Sequence, residues 1–230
     1  MVESDQEQQT LTMEDNPVYT QLLDSFFSEN SINTDMPTAP TILHFLVKME
    51  SNINTSLIVQ ETLNEIVLNS YPERKTEALS EKTEIESVST YEKVIWFLRR
   101  GTDTVNQKTL LNKALEFEHD VVPDIVKRLK TSLNDGFIEM AIRVLARSEL
   151  KVVDEIFGYY HEMPYPYAQS LVLVLFGFKA DETHIPWIIE QYHTLKKLYP
   201  DKSYSDGAFY ALLEMDSRFN VAVHGGVGVE

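Results

Sequence analysis

Cysteine is absent from the 230 residues, which removes disulfides, thiolate metal sites and cysteine nucleophiles together. Glycine is scarce, 8 of 230, and none of it forms a phosphate-cradling loop of the Gly-x-x-x-x-Gly-Lys or Gly-x-Gly-x-x-Gly type. The Gly-x-Ser-x-Gly nucleophile turn and the His-Glu-x-x-His zinc helix are missing as well. No stretch reaches the roughly 18 apolar residues of a membrane span. The opening MVESDQEQQT carries no base and no apolar run, so no secretory signal is expected and the expected address is the cytoplasm. Positive charge is also short: 20 Lys and Arg stand against 36 Asp and Glu, a net charge of -16. Proteins that hold nucleic acid draw much of their affinity from neutralised phosphates. Neither nucleic acid nor an anionic membrane is therefore an expected partner.

What the chain does have is 43% apolar residues, enough for a packed core, recurring at helical rather than strand spacing. Residues 1–15 are polar and acidic, a flexible N-terminus. A first helix is predicted from Pro17, with Tyr19, Leu22, Leu23, Phe26 and Phe27 on one face and the proline in its first turn. Ser28 to Pro40 reads as a loop, followed by helices around Ile42–Met49 and Leu57–Leu68. Residues 16–90 thus form an N-terminal helical region, a divergent repeat or a cap. Its polar segment 71–90 is the best candidate for a linker.

From residue 91 the apolar pattern repeats. Four stripes of i, i+3, i+4, i+7 form occur: Tyr91, Val94, Ile95, Leu98; Val122, Ile125, Val126, Leu129; Val153, Ile156, Phe157, Tyr160; and Ile185, Ile188, Ile189, Tyr192. Their starts are 31, 31 and 32 residues apart. Between them runs a second series: Leu110, Leu111, Ala114; Ala141, Ile142, Leu145; Leu171, Val172, Leu175; and Phe209, Leu212, Leu213. Two helices per period of about 31 residues point to an α-solenoid, because a single hairpin cannot cover its own apolar stripe and must stack on the next. Pro123 and Pro186 fall at one phase, expected just inside helix starts; Asp120, Asp135 and Asp181 stand where caps belong, and Gly101 where a helix ends.

The run LFGFKADETHIPWIIEQY, residues 175–192, resembles a HEAT repeat of the lyase-like type: a helix, a small-residue turn, an acidic residue, then a helix opening with Ile-Pro. Residues 140–160 are similar but have Asp154 in place of the proline. The resemblance covers residues 91–216 and implies an all-α fold, a right-handed HEAT/ARM-like α–α superhelix of stacked helical hairpins, with repeats over 91–218 and a flexible tail from 219. It implies a binding surface and no particular reaction, since one fold hosts unrelated functions.

If the Ile-Pro helices line the concave side, as in HEAT proteins, three columns of residues cross the repeats. They are Trp96, Lys127, Gly158, Glu190; Phe97, Arg128, Tyr159, Gln191; and Lys93, Asp124, Glu155, Trp187. Trp96, Lys127, Arg128, Tyr159 and Trp187 are the candidate partner-binding residues, mixing aromatic anchors with charge. The charge distribution favours the same region: residues 91–150 carry net +1, while residues 1–30, 31–90 and 151–230 carry -7, -5 and -5. Glu116-x-x-His119 and Glu190-x-x-His193 match a di-iron element, yet short repeats do not supply the long parallel helices that chemistry needs. No catalytic, cofactor or metal residue is assigned.

The leading expectation is a non-enzymatic module that binds another protein, in one version an acidic inhibitor or immunity-type protein for a basic partner. The alternative is an enzyme or small-ligand binder with its site around Trp96, Lys127, Tyr159 and Trp187. A DNA glycosylase, another HEAT-like architecture, is disfavoured by the charge. The sequence leaves the oligomeric state open.

Overall fold

The computed structural model describes residues 17–31, 66 and 68–224. Among them the regular structure is wholly helical, with no strand. Helix α1 spans Pro17–Glu29, α2 Pro72–Glu86, α3 Tyr91–Arg100, α4 Gln107–Glu116, α5 Glu118–Leu129 and α6 Asp135–Arg147. Then come α7 Val153–Tyr159, α8 Pro166–Lys179, α9 Ile185–Leu198 and α10 Asp206–His224. Short 3-10 turns at Thr104–Asn106, Tyr160–Glu162 and Glu182–His184 join some of them. The helices expected around 42–49 and 57–68 lie outside the described residues, apart from Ile66 and Leu68, which are helical.

The apolar stripes become the core. Every member of the second-series triads through Leu175 is buried, as is the whole Val122–Leu129 set; Phe157 and Leu213 are the exposed exceptions. Helices α2, α4, α6, α8 and α10 form one row in which each packs on the next. On the other side, α3 and α5 pack on each other and against α4 and α6, and α9 packs on α10. Helix α6 is therefore covered from several directions, which is why residues Phe137 to Leu145 are buried without a break. A helix enclosed on so many sides has to pair its polar residues too, and Glu139 accepts from Tyr167 OH at 3.1 Å.

The most extensive pairing is α8 with α10, and small residues permit it. A Cβ on Gly177 would sit 2.7 Å from Ala211 Cα, and one on Gly207 would sit 2.1 Å from the Ser170 carbonyl oxygen. Gly101 serves differently: its φ of +84° closes α3 in a conformation that side chains resist, while its N–H donates to Phe97 O.

Basic residues tie successive helix ends of the row together. Lys179, the last residue of α8, donates to the Ser148 carbonyl at the end of α6. Arg218 of α10 donates to the carbonyls of Gly177 and Ala180 at the end of α8, the latter at 2.8 Å. The final carbonyls of a helix lack intrahelical donors, and a cation there also meets the negative end of the dipole. Arg147 occupies the same position on α6, yet both of its terminal nitrogens are enclosed without an acceptor among the described residues. At the end of α4 the Phe117 carbonyl accepts from Asp120 N and Val121 N, because α5 starts directly after α4.

The polar stretch 71–90 is a helix rather than a linker. Only Ala78 and Ile85 of α2 are buried, so its apolar stripe is too narrow to read from spacing. Polar contacts dock it instead. Arg74 grips Asp103 through two bonds of 2.9 and 3.0 Å, and Asn106 Nδ2 donates to Ala78 O and Glu81 Oε2, each at 2.9 Å. The Arg74 guanidinium holds the Asp103 carboxyl below the usual range. Two boundaries also differ from expectation: α5 starts at Glu118, so Pro123 sits inside it, and α10 continues to His224, past residue 219.

Helix α1 returns to the far end of the chain. It packs on α9 and α10, with Leu23 and Phe26 buried. The Phe26 ring lies edge-on to Tyr192 at 4.9 Å and is 5.8 Å from Phe209. The last hairpin is thus covered by the first helix.

Candidate functional site

The exposed positions of α3 and α5 form a strip. On α3 the spacing i-3 and i+4 sets Lys93 and Arg100 on either side of Trp96. The Lys93 ammonium lies 4.0 Å and the Arg100 guanidinium carbon 4.9 Å from the Trp96 ring centre. Glutamates of α2 restrain both cations, Glu84 on Lys93 at 3.0 Å and Glu81 on Arg100 at 3.1 Å. Trp96 itself remains 43% exposed. Tryptophan held flat by cations and still open to solvent is a ready anchor, since its indole buries large area at little entropic cost.

Lys127 is exposed on the adjacent helix α5 and, like Arg99, has no carboxylate partner among the described residues. Arg128 is paired within its own helix with Asp124 at 2.9 Å. Beyond these residues the ends of α3 and α5 and the start of α6 enclose an open groove of about 460 Å³. Arg99 and Arg128 line it together with Thr131, Ser132, Leu133, Asn134 and Phe137. Asn134 fixes its floor: the side-chain oxygen accepts from Phe137 N at 3.0 Å, capping α6, while Nδ2 donates to Arg99 O at 2.9 Å. Leu133 projects beside it, 68% exposed. The groove offers two guanidinium groups, two hydroxyls and an apolar lip. That set suits an extended acidic segment carrying an occasional apolar side chain.

The five residues singled out from sequence divide by environment. Trp96, Lys127 and Arg128 belong to this strip and groove. Tyr159 is buried, and its hydroxyl donates to Val126 O at 2.8 Å, fastening α7 to α5. Burial, with Glu155 nearby, raises the Tyr159 pKa well above the usual tyrosine range, so it stays a neutral donor. Trp187 is half-buried in an aromatic cluster, 4.9 Å from Phe157 and from Tyr160 and 5.4 Å from Phe176. Of the columns, Trp96, Lys127, Gly158 and Glu190 are exposed at every position. Phe97, Tyr159 and Gln191 of the second column are buried, because one residue along a helix turns about 100° and carries them toward the row beneath.

Arg99 and the 131–134 turn are the groove residues that the column reasoning missed. The repeat period held the signal: Arg99 and Lys130 stand 31 residues apart, so the ends of α3 and α5 fall at one level. Among the described residues no three His, Asp or Glu side chains are placed to hold a metal ion. Comparison with family models, with curated proteins and with solved structures returns no match for this chain.

Proposed function

We propose that this protein is a non-enzymatic interaction module, a HEAT-like right-handed superhelix of stacked hairpins that docks an acidic segment of another protein along the α3–α5 strip. The stacking reading is supported by the row α2, α4, α6, α8, α10, in which neighbours in order are neighbours in space, and by the 31-residue period of its apolar stripes. The observation that carries the docking reading is polarity. In a chain of net charge -16, an exposed tryptophan whose framing cations are matched by Glu84 and Glu81 runs on to Lys127 and Arg99, which have no carboxylate partner among the described residues, and to Arg128, paired with Asp124. An acidic partner segment is complementary to that strip, whereas the acid-rich remainder would serve the inhibitor version with a basic partner.

The strip favours this reading over a small-ligand pocket. Tyr159 has committed its hydroxyl to Val126 O, and Trp187 is engaged by other rings, so neither offers a free group to a ligand between the helices.

The test is affinity capture from the native source with wild-type protein and with the double variant Trp96→Ala/Lys127→Glu. Both positions are exposed, so the variant should keep its melting temperature. Proteins retained by the wild type should be lost or reduced at least tenfold on the variant, and their binding should weaken as salt rises. An identical set on both baits refutes the strip as the docking surface.

A further inference from the structure

Phe157 of α7 is 42% exposed although its stripe position predicts burial. The ring is nonetheless fixed. Trp187 meets it edge-on at 4.9 Å and 66°, and His184 at 5.5 Å and 89°. The packing that denies Trp187 to a ligand between the helices thus holds Phe157 at the surface, as Lys93 and Arg100 hold Trp96. Next to the ring the helix is bare, since a Cβ on Gly158 would meet nothing within 4 Å. Carboxylates stand on both sides of the seam between the two rings. Asp154 lies one turn before Phe157 on α7, and Glu190 one turn after Trp187 on α9. Both are exposed, and neither has a basic partner among the described residues. Lys151 and Lys179 line a hollow with Asp154 but make no ion pair with it, Lys179 being held by the Ser148 carbonyl.

We propose that the Phe157–Trp187 seam seats an arginine side chain of the docked partner, its guanidinium over Phe157 and its N–H groups toward Asp154 and Glu190. The inference rests on the docking reading above and names what the partner carries beyond its acidic stretch. A guanidinium is planar and weakly hydrated, so it can lie on a ring and donate to carboxylates at once, which an ammonium does less well. The seam adjoins the strip. The Tyr159 hydroxyl fastens α7 to α5 at Val126 O, beside Lys127. One to two steps of roughly 8–10 Å between neighbouring helices then lead from Lys127 to the seam. About three to six residues of extended chain therefore separate the arginine from the acids that meet Lys127. Exposed charge changes sign along this path, from Lys127 to Asp154 and Glu190. A segment that is acidic throughout is repelled at the seam, so the arrangement also selects among partners and sets the direction in which one lies.

The chain's two tryptophans, Trp96 and Trp187, report on the strip and the seam separately. Isotopically labelled full-length protein gives an indole N–H signal for each in a nitrogen–proton correlation spectrum, assigned through Trp96→Phe. The probes are acetyl-Gly-Arg-Gly-Arg-Gly-amide and its lysine and glutamate counterparts, titrated at about 50 mM salt. The arginine peptide should move the Trp187 signal to saturation and leave that of Trp96 in place, and the lysine peptide should bind there at least about threefold more weakly. Asp154→Asn/Glu190→Gln, near-isosteric changes at exposed positions, should weaken the arginine peptide at least about fivefold. Phe157→Leu should erase the advantage of arginine over lysine. A Trp187 signal that stays still, equal binding of the arginine and lysine peptides, an affinity untouched by the carboxylate changes, or an arginine advantage that survives Phe157→Leu overturns the inference. If the glutamate peptide still moves the Trp96 signal in that case, the docking reading stands and only the arginine seat falls.

Discussion

Two glycines within helices offer a matched experiment on how closely the last hairpin packs. In a helix interior, alanine is favoured over glycine by about 0.5–1 kcal/mol. At Gly158 on α7 a new Cβ meets nothing within 4 Å, so Gly158→Ala should keep that gain. At Gly177 the same methyl would stand 2.7 Å from Ala211 Cα and 3.0 Å from Ala211 O. Carbon atoms rest about 3.5–4.0 Å apart. The obstacle is backbone, which has no rotamer to escape into, so α8 and α10 must separate by roughly 1 Å along their most extensive contact. Overpacking of this kind costs about 1–3 kcal/mol and more where neighbours cannot yield. The propensity gain is common to both variants, so they should lie about 1–3 kcal/mol apart, the overpacking cost itself, with Gly177→Ala destabilised by up to about 2 kcal/mol net. Urea unfolding followed by far-ultraviolet circular dichroism reads this as midpoints displaced in opposite directions with an unchanged slope. Two midpoints that both rise would refute the close approach of α8 and α10. Gly207→Ala, whose methyl would lie 2.1 Å from Ser170 O, should be worse still.

Two further outcomes test the polar framework. Lys179→Met strips the donor from Ser148 O and should cost about 1–2 kcal/mol, whereas Arg147→Met removes an enclosed cation without an acceptor and should be neutral or stabilising; calorimetric melting in the reverse order would refute the helix-end ladder. Burial pushes the Asp206 carboxyl up to about 6, against the opposing pull of Lys196, from an ordinary 3.8. The folded chain then holds this proton more firmly than the unfolded one, so the stability it brings is complete below about pH 4 and lost as pH rises through 6. Asp206→Asn should therefore gain about 1–2 kcal/mol at pH 7 relative to pH 4.5, after discounting partial exposure; wild-type and variant melting curves that move in parallel between those pH values would refute it.

How much of this was legible in sequence follows from what each element relies on. Helices α3 to α10 bury wide apolar stripes, and most stripe positions, Val94 and Leu98 through Ile188 and Tyr192, are core residues; the stripes leave out Phe137, Ile138, Met140 and Val144 of α6 and Leu173, Val174 and Phe176 of α8, helices buried on more than one face. Helix α2 buries only Ala78 and Ile85 and is fastened by Arg74, Glu81 and Asn106 to partners 19 to 30 residues away. No periodicity within residues 72–86 records such contacts. The strip was half visible. Trp96 and Lys127 follow from counting exposed positions on single helices. Arg99 joins them only when the ends of two helices and the cap of a third, Asn134, meet at one level.

One irregularity at the α4–α5 junction changes both a helix start and the closure of a helix end. Before α9 the chain makes a turn, Glu182–His184, held by Asp181, whose side chain accepts from Thr183 N at 3.1 Å, so Pro186 falls in the first turn of the helix. The equivalent stretch before Pro123 has been absorbed into α5, which begins at Glu118 as soon as α4 ends. The proline therefore lies one turn deeper than its phase suggests. The same fusion turns the N–H groups of Asp120 and Val121 onto Phe117 O at the end of α4, whereas Ser148 O at the end of α6 is left to Lys179. A sequence period records the average repeat. Here a missing turn shifts a helix start and closes the carbonyl that ends α4 with backbone N–H groups, and both consequences fall where α4 meets the helix that carries Lys127 and Arg128.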